Sequence, residues 1–150
     1  MDATRLLRHL LATLAYRTRY VLKDCPEGFE HFEAGLETRT PEQILNHINT
    51  ILQATNQMCR GQKPEAPEDL PWPEALEMFH LHLANLDDTL EQIELSDDQV
   101  LRLFQGPWSD TLTHVGQLAM LRRLYGSPIM GANYYQADIK TGQVGRKQPA

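Results

Sequence analysis

The chain has 150 residues, of which 41% are hydrophobic and 23% charged, as is typical of one globular domain spanning residues 1–150. Its formal net charge of -6 argues against a general nucleic-acid binder, because such proteins neutralise phosphates with lysine and arginine. No apolar run approaches the ~18 residues of a membrane span. We therefore expect a cytoplasmic protein with neither nucleic acid nor membrane as a partner.

The first segment of the chain has the periodicity of an amphipathic helix. Leu7, Leu10, Leu14 and Val21 recur at three- and four-residue steps and predict a helix over 2–22. An arginine-rich amphipathic N-terminus also resembles a transit peptide, but the long continuation of the pattern favours a core helix.

A long loop follows over 24–39, since Pro26 and its neighbours oppose a helix. Its large apolar residues Phe29, Phe32 and Leu36 are expected to pack onto the helices. The two cysteines of the chain form no CxxC motif and have no neighbour that would lower a thiol pKa, so we expect reduced, unreactive thiols.

The second helix has a clear start. Thr40 is a favourable N-cap, Pro41 suits the first helical position, and Gln43 completes a capping box, which together predict a helix over 41–59. The next stretch, GQKPEAPEDLPWP, contains four prolines and is predicted to be a linker.

The second half of the chain contains two further long helices. Leucines and other apolar residues at helical spacing predict a helix over 73–94, and Ser96 with Gln99 predicts a short helix over 97–104. The last helix is predicted over 109–126, where Gly126 is a natural stop.

The segment 129–150 has no helical stripe. It is expected to be an irregular tail that packs on the helices through four of its apolar side chains: Ile129, Tyr134, Tyr135 and Ile139.

Four long helices with one long connection and one proline-rich crossover predict an all-α, antiparallel four-helix bundle with a short extra helix. The last helix is apolar around most of its circumference, which is typical of a helix buried on most sides. Together with the family resemblance described below, this predicts a homodimer.

Three polar residues are candidate metal ligands. Asp110 and His114 are four residues apart and therefore share one helix face with apolar neighbours, where a carboxylate is unfavourable unless it is paired or binds a cation. His47 lies beside the apolar stripe of the second helix. Two histidines and one carboxylate would leave a coordination position open for water or substrate.

Each of these residues also has a structural interpretation. Asp110 is well placed to cap the last helix, and His114 and His47 could be ordinary hydrogen-bonded histidines. His80 and His82 are two residues apart, so they diverge on a helix and cannot both bind one ion.

Three segments resemble the DinB/YfiT-like superfamily: TRTPEQILNHINTIL (38–52), WSDTLTHVGQLAMLRRLYGSPI (108–129) and NYYQADIKTGQVG (133–145). The resemblance implies a four-helix bundle that is often dimeric. It also implies a divalent metal held by one histidine of the second helix and an H-x3-H pair. Some relatives are transferases that use low-molecular-weight thiols.

Transferred to this chain, the resemblance assigns the metal ligands to His47 and His114, with Asp110 at the position of the first paired histidine. The ion would be zinc, nickel or iron, and Asn133 and Tyr134 are expected to line the pocket. The function implied is a metal-dependent thiol S-transferase. The alternatives are a metal-assisted hydrolase and a metal-free dimer that acts as a small-molecule-binding or stress-related module.

Overall fold

The computed structural model of the protein describes residues 1–145. It contains four long helices and one short one: α1 (Ala3–Leu22), α2 (Pro41–Cys59), α3 (Trp72–Gln92), α4 (Asp97–Leu103) and α5 (Ser109–Leu124). The described residues contain no strand, which confirms the predicted all-α bundle. No helix among them combines the length and apolarity needed to cross a bilayer.

The predicted helix starts are confirmed by their hydrogen bonds. The Thr40 hydroxyl accepts from the backbone N–H of Gln43 at 3.2 Å, and the Gln43 side chain accepts from the backbone N–H of Thr40 at 2.9 Å. Ser96 and Gln99 form the same reciprocal pair at the start of α4. Each box satisfies two backbone donors that a helix start leaves unpaired.

Hydrogen bonds between helices define their directions. The indole of Trp108 donates to the carbonyl of Leu7, and Arg122 donates to the carbonyl of Val21, so α1 and α5 run in the same direction. α2 and α3 are also parallel, because Glu42 accepts from the backbone N–H of Trp72 at the helix starts. Near the helix ends, the hydroxyl of Thr89 donates to Asn56. α2 and α5 are antiparallel neighbours, since Ile44 near the start of α2 lies at the same surface cavity as Leu124 at the end of α5. α1 and α3 are also antiparallel to each other, since Arg8 near the start of α1 pairs with Asp87 towards the end of α3.

The parallel α2–α3 pair requires a connection that returns along the bundle, and residues 60–71 provide it. Asn46 holds this crossover in place. Its side-chain amide donates to the carbonyl of Leu70 and accepts from the backbone N–H of the same residue, both at 2.9 Å. Glu42 then accepts from the backbone N–H of Trp72 at 3.0 Å, at the start of α3.

Apolar side chains from all four long helices meet in one core. Its largest fully buried members include Leu11, Ile48, Phe79 and Trp108. Full burial of a side chain of this kind stabilises the fold by roughly 1.5–3 kcal/mol.

A π-helical turn, Phe104–Trp108, joins α4 to α5. The sequence predicted that the short helix ends at residue 104, but the chain stays helical through Gly106–Pro107. Proline has no N–H to donate. The turn is held instead by the hydroxyl of Ser109, which donates to the carbonyl of Phe104 at 2.6 Å.

The α1–α2 connection packs as predicted at two of three positions. Phe29 is fully buried, and Phe32 is half-buried against the core. The prediction for Leu36 is wrong, because its side chain is 99% exposed. Gly35, Leu36 and Glu37 all have positive φ, and this left-handed turn leaves the Leu36 side chain in solvent.

The C-terminal tail follows α1 back towards its start. The hydroxyl of Tyr20 donates to the carbonyl of Met130, and further along the chain His9 hydrogen-bonds to Thr141 at 2.9 Å. The tail then reaches α3, where Val144 is buried in the core and its carbonyl lies 3.2 Å from a ring nitrogen of His80.

Three of the four tail contacts predicted from the sequence are present. Ile129 and Ile139 pack against the core, and the ring of Tyr134 packs edge-on against two tyrosines of α1. The prediction for Tyr135 is wrong, since its side chain is 97% exposed. In the turn at 133–136 the two neighbouring tyrosines point to different sides, so one of them faces solvent. The predicted tail extends to residue 150, and its last five positions lie outside the described residues.

Candidate metal centre

His47 on α2 lies next to Asp110 and His114 on α5. One ligand atom from each of the three residues lies within 4.8 Å of the other two. The three residues lie on two different helices, so only the packing of α2 against α5 brings His47 to the other two residues. We call these three residues the His–Asp–His cluster.

Asp110 does not cap the last helix. The chain enters α5 from the π-helical turn, and Trp108 at the cap position is already in helical conformation with no side-chain cap bond. The backbone N–H of Ser109 is bonded to carbonyls of that turn. The Asp110 carboxylate instead lies one helical turn from His114, with Oδ1 at 3.2 Å from Nε2.

The His114 ring contacts polar groups through both of its nitrogens. Its Nδ1 lies 2.8 Å from the side-chain oxygen Oε1 of Gln117, which can only accept a hydrogen bond. The proton on Nδ1 therefore points to Gln117. In the neutral ring, Nε2 then presents a lone pair towards Asp110, and the two electron-rich atoms need a proton or a cation between them.

His47 completes the cluster from the other helix. Its ring meets that of His114 edge-on, with centroids 4.7 Å apart and an interplanar angle of 89°. Burial lowers the pKa of His47 below its ordinary value, and the nearby charges of Arg39 and His114 lower it further, whereas Asp110 opposes them. Within residues 1–145 its ring makes no hydrogen bond.

The donor set fits a divalent transition metal. Zinc, nickel and iron accept imidazole nitrogen, and a carboxylate oxygen is a competent third ligand. Donors at 2.0–2.2 Å from one ion lie roughly 3.4 Å apart in tetrahedral geometry. The Asp110–His114 pair, at 3.2 Å, already matches this spacing. Gln117 occupies the position of the outer partner that commonly fixes the tautomer of a metal-binding histidine.

Two cavities flank the cluster along the groove between α2 and α5. The first, which we call the Arg39 cavity, has a volume of about 530 Å³ and is bordered by Arg39, Gln117 and Leu121 among others. The second, the Asp110 cavity, has a volume of about 650 Å³ and is bordered by Asp110 and Thr113. Both volumes are in the range of small-molecule sites.

The other sequence candidates lie elsewhere. Asn133 is exposed, and its side chain accepts from the backbone N–H of Tyr135 within the tail. Tyr134 packs on α1 with the guanidinium of Arg17 3.9 Å from its ring centroid. Neither residue borders the two cavities beside the cluster, so the expected lining of the pocket by these tail residues is not observed there.

The remaining histidines and the cysteines are not part of the cluster. His80 contacts the tail, and His82 is buried in α3, where burial lowers its pKa. Cys25 and Cys59 are free and half-buried, and burial raises the pKa of both thiols, which keeps them protonated and poorly nucleophilic.

Two residues of the site were not singled out from the sequence. Gln117 follows His114 by three positions, a spacing that places both on one helix face and could have indicated the hydrogen bond. Arg39 lies in the loop before α2, where no periodicity relates a residue to a helix face. Only the fold shows that it borders the cavity next to His47.

Comparison of the chain with protein-family models, with curated proteins and with solved structures found no match. A function for the protein is therefore inferred from the cluster, the two cavities and the chemistry of their side chains.

Proposed function

We propose that this protein is a metal-dependent enzyme of the DinB-like type that joins an intact low-molecular-weight thiol, through its sulfur atom, to an electrophile. His47, Asp110 and His114 would hold a divalent zinc, nickel or iron ion. The observation that carries the proposal is their convergence, with ligand atoms within 4.8 Å of one another. A bound ion would coordinate the thiol sulfur and favour its thiolate form.

The chain's own residues have separate tasks in this proposal. Gln117 keeps the proton on Nδ1 of His114, so that Nε2 is available as a ligand. Asp110 brings negative charge to the cluster, and its side chain is 52% exposed, so the cluster is accessible from solvent. Burial beside Arg39 favours the neutral ring of His47, which is the form that binds a metal.

The two cavities favour transfer between two molecules over hydrolysis of one. They border the same groove on either side of the cluster, so a thiol and an electrophile could approach it from opposite sides. In the net reaction the thiol sulfur replaces a leaving group on the electrophile, and the leaving group departs with the thiol proton. Metal-assisted hydrolysis would need only one of the cavities.

One observation favours a metal-free binding module as the second candidate. A protonated His114 can donate to both Gln117 and Asp110, which would satisfy the polar groups of α5 without any ion. In that case the cluster is a hydrogen-bonded network at the wall of a small-molecule groove.

Metal content of the purified protein separates these candidates. We expect about one divalent ion per chain by mass spectrometry after growth with zinc, nickel and iron, since three ligands suffice for a catalytic site. The variant His47→Ala should lose the ion. His31→Ala is the matched control, because its side chain is 72% exposed and distant in sequence from the ligands. Absence of stoichiometric metal under every supply would refute the enzyme proposal.

Thiol consumption separates transfer from hydrolysis. The metal-loaded protein should consume a small thiol in the presence of 1-chloro-2,4-dinitrobenzene, and His47→Ala should reduce this rate to background while His31→Ala retains it. Metal-loaded protein that hydrolyses esters but consumes no thiol with this or other electrophiles would favour the hydrolase.

A further inference from the structure

The Arg39 cavity combines apolar walls with one cationic group. Ile44 of α2 and the side chains of Met120, Leu121 and Leu124 of α5 form its apolar surface. Arg39 borders the same space from the loop before α2. An apolar cleft with few polar groups is the usual form of a small-molecule site, in which the polar groups set the orientation of the ligand.

The cavity lies next to the His–Asp–His cluster. Ile44 precedes His47 by about one helical turn, and Gln117, which borders the cavity, contacts the ring of His114 at 2.8 Å. A molecule in the cavity would therefore place one end at the cluster.

Arg39 is available for a ligand. Several other arginines of the chain are engaged: Arg8 with Asp87, Arg102 with Asp98, and Arg122 with backbone carbonyls. Within residues 1–145 Arg39 makes no hydrogen bond or ion pair. Exposed arginines are often unpaired, so its position at the cavity is the informative observation. A guanidinium there can bind a carboxylate through two parallel hydrogen bonds.

The charge balance of the cavity selects the kind of anion. Glu37 borders the same space as Arg39 and would repel a dianion. The apolar walls in turn disfavour a small, fully hydrated ion. The ligand that matches both features is a monoanion with an apolar body.

We infer that the Arg39 cavity binds an apolar monocarboxylate, with its carboxylate on Arg39 and its apolar body against Leu121 and Leu124. This inference rests on the proposed function in one respect, namely that the bound molecule is the electrophile that reacts at the cluster. Binding itself requires only the cavity and Arg39. The thiol then enters by the Asp110 cavity.

The test is a titration of metal-free protein followed by amide chemical shifts. The probe is 4-phenylbutyrate, and the control is its neutral amide, which has the same shape without the charge. We expect the carboxylate to bind about fivefold more tightly or better, with shifts at Thr38, Gln117 and Leu121. Arg39→Gln should abolish this preference, whereas Arg123→Gln, an exposed arginine outside the cavity, should retain it.

The inference is overturned if the two probes bind the wild-type protein equally, if neither binds, or if Arg39→Gln keeps the preference. The native spectrum of Arg39→Gln shows in the same experiment that the variant is folded. Metal analysis of the wild-type protein used in the titration distinguishes the two proposals. Wild-type protein that binds no metal but keeps the Arg39-dependent preference refutes the enzyme and supports the carboxylate site, whereas metal binding without the preference refutes only the carboxylate site. Under both proposals His47→Ala should lose the metal and keep the preference.

Discussion

Two faces of the bundle differ in whether their polar side chains are already bonded to other groups of the protein. The closed face is the surface of α1 and α3 that the tail residues 129–144 cover. There, Arg8 donates to both carboxylate oxygens of Asp87, at 2.9 and 3.0 Å, and His9 and His80 hydrogen-bond to the tail. These four side chains of the closed face are bonded to one another or to the tail.

The open groove is the surface between α2 and α5 with its two cavities. There, Asp110 and Arg39 are exposed, and the ring of His47 makes no hydrogen bond within residues 1–145. Polar groups that satisfy one another stabilise a fold, whereas groups that remain available bind other molecules. Substitutions on the closed face should therefore reduce stability, and substitutions in the open groove should reduce binding.

The largest expected effect is on the closed face. The side chain of Asp87 is 7% exposed, so Asp87→Ala leaves the charge of Arg8 partly buried, with Glu91 as its remaining ion-pair partner among residues 1–145. We expect the free energy of unfolding to fall by about 3 kcal/mol, measured by urea denaturation. Asp98→Ala removes the exposed ion pair with Arg102 and should leave the free energy of unfolding almost unchanged. Equal effects of the two variants would contradict the expectation that the ion pair of the closed face stabilises the fold more than an exposed ion pair does.

The next effect is on binding in the open groove. Zinc at about one hundred times its dissociation constant should raise the free energy of unfolding by about 2.7 kcal/mol, through preferential binding to the folded state. Asp110→Ala should remove most of this gain and change the stability of the metal-free protein by less than about 0.5 kcal/mol, because the carboxylate is half exposed. Thermal melts with zinc and with a chelator provide both values.

If Asp110→Ala is less stable than the wild type in the presence of chelator, Asp110 stabilises the fold itself. The open groove would then resemble the closed face.

A smaller effect tests whether the tail that covers the closed face stabilises the fold. Val144→Ala removes two methyl groups from a buried position and should lower the free energy of unfolding by about 1–2 kcal/mol. Tyr135→Ala, in the same tail but 97% exposed, should have almost no effect. A tail that contributes nothing to stability would give the same melting temperature for both variants and the wild type.

The smallest expected effect concerns pH. Burial lowers the pKa of His82 below its ordinary value of 6.5, so the unfolded chain binds a proton more readily than the folded one. The stability that depends on the neutral ring is complete above pH 6.5 and is lost as pH falls towards the lowered pKa. With chelator present, His82→Gln should flatten the pH dependence of urea unfolding between pH 7.5 and 5.5, and His31→Gln should not.

The sequence predicted what depends on local spacing. The four long helices and both capping boxes follow from periodicity and cap residues, and the predicted helix ends differ from the observed ones by at most two residues. The Asp110–His114 pair follows from one turn of helix. Its approach to His47 was predicted only through the bundle and the family resemblance, because no local rule relates α2 to α5.

The features that the sequence did not predict lie mainly in loops, where no periodicity relates a residue to its position in the fold. The positive φ angles that direct Leu36 outwards, the route of the tail that exposes Tyr135, and the position of Arg39 all belong to loops. The π-helical turn was missed because Gly106–Pro107 normally ends a helix, whereas here the Ser109 hydroxyl bonds to the carbonyl of Phe104.

The two hydrogen bonds between Asn46 and Leu70 have a consequence for the neighbouring residue. Successive residues of a helix point about 100° apart, so Asn46 faces the crossover while His47 faces α5. The crossover therefore fixes the rotation of α2 about its own axis. A rotation of about 20° moves a side-chain tip by about 2 Å, which is far more than a metal–ligand bond tolerates. The proline-rich connection, although it contacts a different face of α2 from the cluster, thus determines whether His47 can reach the other two ligands.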